Sequence, residues 1–135
     1  MIYRTLGGAR DDAPMDDQRR RGSVEFAEFL ADISHPGTGE ILVSQLSSWF
    51  NQTEHDFFEK WHARQDKLPW TIFVDQVLAV LDVVQDETCD MGVTIDWFLN
   101  KHLPTFGMQT PYEVVLEGRG RSLALAVIAR AVPVP

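Results

Sequence analysis

The sequence predicts an all-α fold, a compact bundle of about six to seven short helices. Three observations carry this. Apolar residues recur at helical spacing from residue 23 onward, and capping residues or Gly and Pro separate the stretches. No run alternates apolar and polar residues as a half-buried strand would. The chain has 135 residues, 44% of them hydrophobic, with eight Phe and four Trp. That is one domain's worth, or two small helical units sharing a core.

Taken in order, residues 1–22 mix charge, Gly and Pro with few apolar anchors, and they read as a flexible tail without a secretion signal. Residues 23–67 read as a helical, degenerate helix-turn-helix-like part, and 68–135 as a second helical part. Ser23 is placed to cap a first helix carrying Phe26, Phe29, Leu30 and Ile33, which "SHPGTG" (34–39) breaks. A second helix carries Leu42, Leu46, Trp49 and Phe50 on one stripe, ending at "NQT" (51–53). Thr53 and Asp56 form a weak capping box for a third, whose expected buried residues are Phe57, Phe58 and Trp61. "KLPW" (67–70) ends it.

The fourth helix, from about Pro69 to Gln85, has the strongest period, in Phe73, Val77, Val80, Leu81 and Val84. "DETCDMG" (86–92) reads as a loop or frayed turn. A short helix capped by Thr94 follows, with Ile95, Phe98 and Trp97 turned inward. Residues 102–109, including Gly107, read as a loop. Thr110 starts a compact helix with Pro111 at its first position and Glu113 closing a capping box, and Gly118 and Gly120 allow the left-handed turn that stops it. A final helix from about Arg121 to Arg130 buries Leu123, Val127 and Ile128, before Pro133 and Pro135.

Twenty acidic against twelve basic residues give a net charge of −8. Residues 68–100 hold no Lys or Arg, yet six acids, Asp75, Asp82, Asp86, Glu87, Asp90 and Asp96. Such a stretch is a solvated acidic face, or one that steers toward a cationic partner. An acidic chain is a poor general nucleic-acid binder, because phosphate neutralisation supplies most non-specific affinity. One cysteine, Cys89, excludes an internal disulfide and a cysteine-built zinc site and fits a cytoplasmic location. No apolar stretch reaches membrane-spanning length, so no membrane partner is expected.

Catalytic chemistry finds little foothold. His55, Glu59 and His62 share a face of the third helix, but the two imidazoles stand about 10 Å apart along its axis, too far for one zinc ion. His35 and His102 are lone loop histidines, and no nucleophile elbow, phosphate loop or metalloprotease motif occurs. "GRGRS" (118–122) lacks a preceding strand and the phosphate-loop lysine. The expectation is no enzyme, no metal and no cofactor. The second and third helices have a helix-turn-helix arrangement, yet Glu54, Asp56 and Glu59 stand where a DNA-reading helix presents Arg, Lys, Asn or Gln.

Residues 76–131 carry an ordered set of features: an amphipathic helix, then Trp97 in "TIDWFLNKHLP" (94–104), then "FGMQTPYEVVLEG" (106–118), then "GRGRSLALAVIARA" (118–131). This order resembles the toxin-binding domain of the Xre/MbcA/ParS antitoxin family. The family's turn commonly runs leucine, glycine, small residue, threonine, proline; here Phe106, Gly107, Met108, Gln109, Thr110 and Pro111 occupy it, with one position extra or altered. The resemblance implies a cytoplasmic neutraliser of a RES-type toxin that consumes NAD, whose active site the antitoxin's C-terminal segment blocks. Trp97, Gly107, Thr110, Pro111, Tyr112, Glu113, Gly118 and Gly120 would then set the domain's shape. Arg119, Arg121, Arg130, Ala131, Val132, Pro133, Val134 and Pro135 would meet the toxin. Operator DNA and a homo-oligomer are further partners this reading admits; a DNA-binding regulator and a helical adaptor with a changed partner are the alternatives.

Overall fold

Seven α-helices and one 3-10 turn make up residues 25–64 and 68–135, the parts of the chain that the computed structural model describes. The expected tail and the Ser23 cap lie outside the described residues. The helices are α1 (25–33), α2 (Val43–Trp49), α3 (Glu54–His62), α4 (Trp70–Thr88), α5 (Met91–Asn100), α6 (Pro111–Leu116) and α7 (Gly120–Ile128), with the 3-10 turn at Pro104–Phe106. Two isolated bridge pairs, Ser34 with Ile41 and Leu103 with Gln109, are the extended pairings among the described residues. The all-α class read from the periodicity is the class observed.

α4 is the central element and packs against α5, α6 and α7. Its Phe73, Val77, Val80, Leu81 and Val84 are all buried, as the spacing required. The two halves of the chain meet in an aromatic cluster: the Phe50 ring lies 5.6 Å from Phe57, 5.6 Å from Phe98 and 5.8 Å from Tyr112. Each such buried ring removes enough apolar surface from water to stabilise the fold by roughly 1.5–3 kcal/mol. α1 joins this body through Phe29 against Trp49, a Trp49 indole N–H donating to Asp32 at 2.7 Å, and the Met91 N–H donating to Glu25.

Several local expectations need correction. α4 does not stop at Gln85; it runs to Thr88, and Cys89 in the left-handed region (φ 55°) caps it. Residues 86–92 are therefore a helix end abutting a helix start, with little loop between them. Asp90, and not Thr94, caps α5, its carboxylate accepting from the Val93 N–H. Thr94 sits fully buried one turn inside, its hydroxyl 2.7 Å from that of Thr88. Residues 102–109 include the 3-10 turn and the Leu103–Gln109 pairing, with Leu103 fully buried.

Two expected core residues face solvent: Phe58 is 41% exposed and Ile128 is 63% exposed. α7 begins at Gly120 and ends at Ile128, so Arg121 is its second residue and Arg130 lies beyond it.

Candidate functional site

The C-terminal bracket is assembled by its caps. Thr110 accepts from the Glu113 N–H at 3.2 Å while the Glu113 carboxylate accepts from the Thr110 N–H at 2.9 Å, a complete capping box with Pro111 at the first helical position. At the other end of α6 the Gly118 N–H donates to Val115 and the Arg119 N–H to Val114, the paired pattern of a Schellman stop. Gly118 supplies the required left-handed residue at φ 85°. Tyr112 points into the core, and burial raises its phenol above the ordinary value, with Gln52 partly offsetting this.

Gly120 has a different task from the one its position suggested. It adopts no left-handed conformation; its N–H donates to the Gln76 side chain at 3.0 Å. A Cβ here would lie 2.8 Å from the Gln76 Cβ. The absent side chain lets α7 start against α4.

The predicted contact residues fall into three environments. Arg119 is engaged: its guanidinium donates to Gln109 at 2.6 Å and Glu117 at 2.9 Å and lies 5.4 Å from the centre of the Phe106 ring. Gln109 also donates to Glu117 at 2.6 Å, and this bond followed by that of Arg119 holds the Glu117 carboxyl below its ordinary value. Arg119 thus ties the turn before α6 to the turn after it. Arg121 is exposed on α7. Arg130, in the left-handed region at φ 59°, ends α7 and lies 3.6 Å from Glu87 of α4.

The tail is docked on the body. The Ala131 N–H donates to Ala126 at 2.8 Å, turning the chain back; Val132 is 4% exposed; and the buried Trp97 indole N–H donates to the Pro133 carbonyl at 3.0 Å. Val134 is half-buried and Pro135 exposed. Tail and α5 enclose an open depression of about 380 Å³ whose walls include Val93, Trp97, Lys101 and Val134. Sequence reasoning missed this docking, although a buried tryptophan's need for an acceptor was its available signal.

The histidines are occupied structurally or stand on the surface. His35 Nδ1 accepts from the Gly37 and Thr38 N–H groups, and His102 Nδ1 lies 2.9 Å from the Met108 carbonyl. His55 and His62 are exposed on α3, beside the exposed carboxylates Glu54, Asp56 and Glu59. A second depression, of about 610 Å³, lies between Val43, Glu54, His55, Phe58 and Trp70. Among the described residues no three His, Cys, Asp or Glu side chains are grouped to hold a metal ion, and no helix is long and apolar enough to cross a membrane.

No protein-family model, no curated protein and no solved structure matches this chain.

Proposed function

We propose that this protein is an antitoxin-like binder that neutralises a RES-type, NAD-consuming toxin through its C-terminal part. One observation carries the reading: the ordered features Trp97, Thr110–Pro111, Gly118 and Gly120 belong to one packed unit, each with a defined task in presenting α7 and the tail. The exposed Arg121, Leu125 and Ile128 lie on that presented helix, where a partner covering Leu125 and Ile128 would remove apolar surface from water. Inhibition by capping requires no catalytic group on this chain. An acidic protein also complements a cleft built for an anionic dinucleotide.

The docked tail adds a condition. To enter a toxin's NAD pocket, residues 131–135 must leave α5, giving up the Val132 burial and the Trp97–Pro133 hydrogen bond. The partner's groove must replace both. Co-purification with the product of the neighbouring gene tests the binding. Substituting Val134 and Pro135 with Asp tests the plug while leaving Val132 in place: inhibition falls by about tenfold or more if the tail enters the pocket, and unchanged inhibition rejects that mechanism.

A further inference from the structure

Helices α4 and α7 run parallel. Gln76 meets Gly120 at one end of the pair, and Glu87 meets Arg130 at the other. On α4, helical periodicity groups Gln76, Val80, Val83 and Glu87 toward α7, and puts Ile72, Asp75, Ala79, Asp82 and Asp86 roughly a quarter turn away. On α7, Gly120, Ala124 and Val127 group toward α4, and Arg121, Leu125 and Ile128 lie roughly a quarter turn away in the opposite sense. Because the helices are parallel, these opposite rotations open on the same side of the pair. Both stripes are exposed along their length.

The shared face has an apolar strip and a charged edge. Ile72, Leu125 and Ile128 are 44%, 60% and 63% exposed, with the small Ala79 between the aliphatic ends. Asp75, Asp82 and Asp86 follow the α4 edge, and among the described residues neither ion pair uses them. The only cation within these two stripes is Arg121, on the α7 edge.

We propose that this face docks a helix of a protein partner whose apolar stripe is edged on one side by Lys and Arg. A parallel helix pair presents a shallow seam suited to an amphipathic helix. The acids along α4, which form no ion pair among the described residues, select the charge of its edge. A second copy of this chain would bring its own acidic edge, and phosphate surfaces would be repelled as well. The inference concerns recognition chemistry and does not rest on the partner's being a toxin.

The test is an amide-resolved NMR titration of the full chain with a synthetic Leu/Lys amphipathic helix, with a Leu/Glu counterpart as control. Shifts confined to α4 and α7 around Ile72, Ala79, Leu125 and Ile128 are expected for the Leu/Lys peptide alone. Leu125→Asp with Ile128→Asp, both at exposed positions, should weaken binding by about tenfold or more. Asp75→Asn with Asp82→Asn should weaken it and flatten its salt dependence. Absent binding, equal binding of the Leu/Glu peptide, shifts centred on Phe58 and Trp70, or an unchanged affinity in either double variant would overturn the proposal. So would a concentration-dependent dimer of the unmodified chain that the Leu125→Asp, Ile128→Asp variant loses.

Discussion

Gly120 and Gln76 show how one residue can position a helix. The Gly120→Ala variant must push α7 off α4 or displace the Gln76 Cβ, which lies at the root of its side chain. Urea denaturation should record a loss of about 1–3 kcal/mol, as for other overpacked contacts. At Thr110 the expected effect is smaller: Thr110→Ala removes half of the capping box and should cost about 1 kcal/mol. Asp82 works in the opposite direction. Desolvation first, and the neighbouring Asp86 second, raise its carboxyl above the ordinary value. The folded protein therefore holds this proton more tightly than the unfolded chain does. The resulting penalty is absent below the unfolded pKa, grows as pH rises toward the folded pKa and is complete above it. Asp82→Asn should raise stability at neutral pH by a small amount, roughly 0.5 kcal/mol or less for so exposed a site, and the gain should vanish in strong acid. Denaturation curves across the acid range measure it.

At the scale of elements, the sequence was legible where one strong pattern acted alone. The α4 period and the Thr110–Pro111–Glu113 start appear in the fold as their residues indicated. Between α4 and α5 the pattern failed for a physical reason. Asp86, Thr88, Asp90 and Thr94 are all residues that favour caps, and sequence alone does not say which donor each will meet. The turn itself uses Cys89 in the left-handed region, a conformation that no glycine announced. Phe58 and Ile128 were placed inward because periodicity defines a helix face without saying what covers it. The docking of the tail was not legible because prolines signal only that a helix cannot continue; the acceptor that Trp97 finds on Pro133 is a long-range fact. Trp97→Phe keeps an apolar ring but removes that donor. It should lower stability by about 0.5–1.5 kcal/mol and speed amide exchange at Ala131, Val132 and Val134, with α4 exchange little changed in native conditions.

For the whole molecule, the aromatic cluster of Phe50, Phe57, Phe98 and Tyr112 joins the N-terminal helices to the C-terminal bracket in one core. On α3 the carboxylates Glu54, Asp56 and Glu59 are exposed, while Phe57 turns into the shared core. The proposed contact residues lie beyond that core, on α7 and the tail. Arg119 is already committed to Gln109 and Glu117, which leaves Arg121 as the more available cation. The most direct measurement is NAD turnover by the product of the neighbouring gene, with and without an equimolar amount of this protein. Suppressed turnover together with a stable complex on gel filtration is the predicted result. Undiminished turnover with no complex formed would contradict the antitoxin reading.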